Sequence, residues 1–222
     1  MKFSDGSDQF AFKDKHVTYV SRLQCVQAAI ESQVNVMKDE NPKRKVGLVT
    51  FNNEVTIVGD GTQNPDTIRG DKLTNYDFLL ENGKKQYQTY LSQPITQTHQ
   101  NLNEKLFKLE ETGPTALGPG LLTAVALAAE GGHGSQVVIC TDGLANIGIG
   151  SLEDKKTDNE GDCEVEQFYK QVALYAKNKG VTVSIVTIKG GEEADLETLS
   201  HVYKETGGNV NVVEPEELTK NF

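Results

Sequence analysis

The oxygen atoms that this chain could bring together for chemistry are concentrated in two short segments. The first, Thr112-Gly113-Pro114-Thr115-Ala116-Leu117-Gly118-Pro119-Gly120-Leu121, is a tight loop that opens an apolar helical pattern. The second, Thr141-Asp142-Gly143, follows directly on an apolar run. A carboxylate leaving a strand beside a hydroxyl on a neighbouring loop makes a hard-oxygen site. Mg²⁺ favours such a site, with oxygens at about 2.0–2.1 Å in an octahedron. Each residue also has a plainer use. Asp142 can accept backbone hydrogen bonds in a strand-to-loop turn, and Thr115 can cap the helix that follows it.

Other chemistries fit less well. Gly118-Pro119-Gly120 would serve a nucleotide-binding α/β protein as a phosphate loop. However, its glycines do not follow the first strand, a third glycine at the right spacing is missing, and no Lys-Ser/Thr follows. A hydrolase built on Cys140 or Cys163 lacks any local cysteine–histidine–acid signature. Cys25, Cys140 and Cys163 have no CxxC spacing. Cys25 falls in a helical pattern and Cys140 in an apolar strand, where thiols act as small hydrophobes. His16, His99, His133 and His201 are dispersed and match no metal-ligand spacing.

The elements that must position these residues follow from periodicity. Tyr19, Leu23, Val26, Ile30, Val34 and Met37 recur at three and four, which predicts a helix over 17–38, ended by Asn41-Pro42. Residues 46–51 form a continuous apolar run, the mark of a strand covered on both faces. After Asn52-Asn53, the alternating stretch 54–58 predicts the second arm of a hairpin at a sheet edge. Helices are expected over 71–88, 97–111, 117–130, 164–178 and 193–206. The helix at 117–130 is apolar nearly all round and therefore buried. Strands are expected over 136–141, 181–188 and 210–213. Strands alternating with helices mean βαβ units, a parallel sheet and right-handed crossovers. In such sheets ligands bind beyond the carboxyl ends of the strands, where both oxygen-bearing segments should lie.

The Thr115 loop, the Thr141-Asp142-Gly143 turn and the hairpin of 45–58 together resemble the corresponding parts of von Willebrand factor A (vWA) domains. The resemblance runs over about 17–214. It implies a three-layer α/β/α, Rossmann-like fold with an open, mostly parallel sheet and one antiparallel edge strand. It also implies a metal-ion-dependent adhesion site, built from an Asp-x-Ser-x-Ser loop, a later Thr and an Asp after the fourth strand. On that pattern Thr115 and Asp142 match the last two ligands, and a partner's carboxylate completes the coordination of Mg²⁺. The chain departs from the pattern at its start. No strand-like run precedes the first helix, so the central first strand is missing. Asp5-Gly6-Ser7 offers an Asp-x-Ser without the final Ser, behind only Met1–Ser4. Asp5 and Ser7 are thus subsidiary ligand candidates. The domain is read as truncated, with its first strand upstream and Mg²⁺ held weakly or not at all.

Bulk properties agree with one α/β domain over 16–222 behind an irregular segment, 1–15. The 222 residues are 24% charged and 36% hydrophobic, a globular balance. The net charge of −10 argues against nucleic acid, whose binding rests on Lys and Arg displacing counterions. No apolar stretch approaches the roughly 20 residues of a transmembrane helix. No signal region or Asn-x-Ser/Thr acceptor is present. The expectation is a non-enzymatic, cytoplasmic protein-interaction module.

Overall fold

The computed structural model describes residues 21–110, 113–141, 145–152, 159–188 and 196–213. Helix α1 (Arg22–Glu40) opens at a reciprocal cap. The Ser21 hydroxyl accepts from the Gln24 amide at 3.1 Å, and the Gln24 side chain accepts from the Ser21 amide at 2.8 Å. That cap sets the start at Arg22 rather than Val17; residues 17–20 fall outside the described residues. Asn41 ends the helix with its amide on the Met37 carbonyl.

Strands β1 (Leu48–Phe51) and β2 (Val55–Gly59) form the expected hairpin. The Asn52 side chain accepts from the Glu54 amide at 3.0 Å and holds the turn. A third strand, β3 (Asp66–Ile68), pairs antiparallel with β2 and was not foreseen. It is too short to alternate, and the 3.1 Å contact between the Thr56 and Thr67 hydroxyls fastens it. Two antiparallel strands thus replace the single one expected at that edge.

The helix expected over 71–88 is two pieces, a 3-10 helix (Gly70–Thr74) and α2 (Tyr76–Tyr90). Asn75 separates them because its side chain accepts from the Phe78 amide at 2.9 Å, which suits a helix start better than an interior. Helix α3 (Ile95–Leu106) is tied to α1 by Gln27, whose amide donates to the Leu106 carbonyl at 2.9 Å. Helix α4 (Leu117–Ala129) is buried nearly all round, as its composition predicts. Strand β4 (Gln136–Thr141), helix α5 (Asn159–Asn178), strand β5 (Thr182–Ile188), helix α6 (Leu196–Thr206) and strand β6 (Val210–Val213) complete the order.

Strands β4, β5 and β6 form a parallel sheet in that order. Strands β1, β2 and β3 form a separate antiparallel sheet, so the single sheet expected is two among the described residues. The largest core cluster nevertheless joins them. Val49 and Phe51 of β1 pack into the cluster that holds Val137 and Ile139 of β4 with Leu121, Leu122 and Val125 of α4. The alternate residues of the same strands meet other helices. Cys140 and Val186 pack with Cys25, Val26 and Ala29 of α1. Leu48 packs with Ile30, Val34 and Met37 of α1 and with Ile95 and Leu102 of α3. No helix among the described residues is long and apolar enough to cross a membrane.

Helices α2 and α4 cross where Gly83 lacks a side chain. A Cβ there would stand 2.7 Å from the Ala126 Cβ and 2.8 Å from the Thr123 carbonyl oxygen. Gly83→Val should therefore cost about 2 kcal/mol through overpacking. For a chain of this size that is a fall in Tm of about 4–8 °C. Thermal unfolding within a degree of the parent would contradict this helix crossing.

Candidate functional site

The two oxygen-bearing segments can be located through the backbone around them. Helix α4 starts where β1 ends: the Ala116 amide donates to the Asn52 carbonyl at 2.7 Å, directly beyond Phe51. One turn on, a Cβ on Gly120 would stand 2.9 Å from Phe51. At its other end, α4 returns to β4 through the short stretch 130–135. Both strands therefore run against α4 and end on the same rim.

Thr115 lies on that rim, half-buried, and its backbone is clamped by Asn146. The Thr115 amide donates to the Asn146 side-chain oxygen at 2.6 Å, and the Asn146 amide returns a bond to the Thr115 carbonyl at 3.0 Å. The loop after β4 is thereby fixed beside the Pro114–Leu117 loop. Its continuation packs onto the first turn of α4. A Cβ on Gly118 would collide with the Ile149 carbonyl, and the Ile149 amide donates to the Leu73 carbonyl at 3.0 Å. The Leu152 amide closes the loop on the Ala145 carbonyl at 2.7 Å.

Thr115 does not cap α4. The N-cap position is Ala116, with no side-chain bond, and among the described residues nothing engages the Thr115 hydroxyl. Asp142, Asp5 and Ser7 lie outside the described residues. The described part of the rim thus supplies the hydroxyls of Thr115 and of Thr141, at the end of β4, and no carboxylate. That donor set does not by itself make a magnesium site, which needs several hard oxygens including carboxylate. Among the described residues no group of three His, Cys, Asp or Glu is arranged to hold a metal. His99 is on α3, His133 follows α4 and His201 is on α6, so the structure brings none of them together.

The glycines considered for phosphate binding are built into packing instead. Gly118 and Gly120 are inside the first turn of α4, against Ile149 and Phe51, so the space over their backbone is already filled. Cys140 is likewise a packing residue of β4. Between α2 and α5, burial raises the pKa of both Tyr76 and Tyr175; the Tyr175 phenol adds to the rise at Tyr76, while the Lys84 ammonium opposes it at both.

Asn146 and the loop 145–152 are what sequence reasoning missed. The signal was present in Ile147-Gly148-Ile149-Gly150: glycines alternating with apolar residues mark a loop folded down onto its neighbours.

Comparison with known proteins supplies a family. The description of the Sec23/Sec24 trunk domain matches residues 17–216. "Circularly permutated Ras protein 1" of Dictyostelium discoideum is 36% identical over 208 residues, covering 92% of this chain and 24% of that protein. "Protein transport protein SEC24-2" of Naumovozyma castellii is 29% identical over 133 residues, 53% of this chain and 14% of the relative. "Protein transport protein SEC24-1" of Candida glabrata is 27% identical over 118 residues, 49% and 13% respectively. The chain therefore spans about a quarter of the first relative and less of the other two.

The clamp makes a prediction. Asn146→Ala leaves the Thr115 amide without its acceptor and should cost about 1–2 kcal/mol. Amide exchange at Thr115 should quicken accordingly, while Asn146→Asp, which keeps an acceptor oxygen, should lie closer to the parent. Equal exchange in all three proteins would show that the clamp does not hold the loop.

Proposed function

The chain belongs to the Sec23/Sec24 trunk domain family, and on that footing we propose that it is a non-enzymatic, cytoplasmic protein-interaction module of a vesicle coat. Its two sheets are, in this reading, halves of one three-layer α/β/α unit of the vWA kind. Support comes from strand residues that alternate between the α4 side and the α1 side on both sheets. The partner is a protein that docks at the rim.

The observation that carries this reading is the clamp between Thr115 and Asn146. It holds two loops rigidly at the carboxyl ends of the strands, the position at which open α/β sheets bind their ligands. A photo-crosslinking residue at the exposed position 114 should give protein adducts in cells. The same residue at exposed position 133, between α4 and β4 at the opposite end, should give none. Equal labelling at both positions, or none at 114, would refute docking at the rim. Saturable turnover of a small-molecule substrate would refute the non-enzymatic reading.

The metal site of this reading is degenerate. Thr115 and Asp142, with Asp5 and Ser7 as subsidiary candidates, offer too few oxygens for firm retention of a cation that favours six. Calorimetric titration with Mg²⁺ and Mn²⁺ should give at most weak heats, and Asp142→Ala should abolish them. Indistinguishable titrations of the two proteins would remove Asp142 from the site.

The nucleotide-binding alternative has no observation in its favour. Gly118 and Gly120 already face Ile149 and Phe51.

A further inference from the structure

Two cysteines from distant parts of the chain meet in one small cluster. Cys25 of α1 and Cys140 of β4 both pack against the buried pair Ala29 and Val186. Backbone periodicity aims them into the same layer. Cys25 and Ala29 are four residues apart and so share one face of α1. Val137 and Ile139 belong to the core under α4, so Cys140 lies on the opposite face of β4, toward α1. In the ladder, Cys140 stands beside Val186 of β5. The two thiols thus flank a single helix-to-sheet contact.

The residue at the centre of that contact sets how near the backbones come. Ala29 is fully buried and is the smallest side chain that still has a Cβ. A helix resting on alanine lies closer to its neighbour than one resting on a larger side chain. A disulfide requires such closeness, with Cα atoms about 4.4–6.8 Å apart and Cβ atoms about 3.5–4.5 Å apart. Access differs within the cluster as well. Ala29 and Val186 are 0% and 3% exposed, whereas both cysteines are only half-buried. A small oxidant therefore reaches the sulfur atoms without opening the core.

We propose that Cys25 and Cys140 are a redox pair, which hydrogen peroxide joins by a disulfide that staples the start of α1 to the end of β4. One thiol takes an oxygen atom from peroxide, becoming a sulfenic acid and releasing water. The other thiol attacks that sulfur, the S–S bond forms, and the oxygen leaves as a second water. The two thiols give up two electrons, and peroxide accepts them. Because the positions are so far apart in the chain, the bond strongly restricts the unfolded state. It also adds a covalent tie to a helix start that opens at the exposed Ser21–Gln24 cap, directly beneath Thr141 at the rim. None of this depends on what docks at the rim, so crosslinking and metal titration there can fail without it, and it without them.

The test treats the full 222-residue chain with hydrogen peroxide and digests it with trypsin without reduction. Cleavage leaves the three cysteines in separate peptides, 23–38, 109–155 and 157–170. The expected product is a monomer lighter by two hydrogens, with 23–38 joined to 109–155. Its Tm should rise by about 5 °C or more, and amide exchange in the first turns of α1 should slow. Dithiothreitol should reverse both changes. Cys163→Ala should respond as the parent does, and Cys25→Ala and Cys140→Ala should show neither change. The linkage is read in the unaltered chain, so a variant that fails to fold does not decide the matter. Absence of the 23–38 to 109–155 linkage overturns the proposal, whether the cysteines stay reduced, become sulfinic acids, pair with Cys163 or join two chains. A linkage that leaves Tm and exchange unchanged overturns the staple equally.

Discussion

A helix that is apolar on every side has no face to give to water, and α4 imposes that constraint on everything around it. All of its residues except Ala124 and Ala128 are buried, so it must be wrapped by several elements at once. Small residues make the wrapping close. Gly83 brings α2 against it, Gly120 brings Phe51 of β1, and Gly118 brings the backbone of the loop after β4. Each approach would be blocked by a single Cβ, so substitution there forces backbone to move. The rim inherits its order from this. Because both sheets run against one helix, the end of β1 and the loop after β4 arrive at the start of that helix together. Thr115 and Asn146 then need only local hydrogen bonds to be fixed.

What was legible in the sequence follows the same physics. The elements whose burial is nearly complete or cleanly one-sided, such as α4 and β4, announce themselves by composition or period, and their bounds hold to within a residue. Elements set by a single polar side chain do not. The start of α1 depends on Ser21 and Gln24 bonding each other, although the apolar spacing continues upstream through Tyr19. The break between the 3-10 helix and α2 depends on the one bond to Asn75, inside a stretch whose pattern is helical throughout. Strand β3 is three residues long and has no period to detect. At the rim, Thr115 was recognisable from its loop. Asn146 was not, because its role comes from a contact between residues 31 positions apart.

In the sequence, the lack of a strand-like run before α1 is a departure from the vWA pattern. Among the described residues, the strands fall into two ladders, β1-β2-β3 and β4-β5-β6, while side-chain packing runs across both. Among these residues, the two sheets share one core through the helices packed on them. Packing of this kind is less directional than backbone pairing, which alone fixes register.

Charge bears on what can dock at the rim. The chain carries a net charge of −10, so an acidic partner approaches against a repulsive field. A fully coordinated cation would reverse that locally, since the ion is the largest charge in such a site and draws a carboxylate toward it. The described rim offers the hydroxyls of Thr115 and Thr141, and Asp142 is one of the carboxylates already counted in that excess. If the cation is held weakly, the balance shifts: a neutral or basic surface satisfies the rim's oxygens directly, while a carboxylate brings like charge to like. On so acidic a chain, a neutral or basic surface approaches without the repulsion that a carboxylate meets.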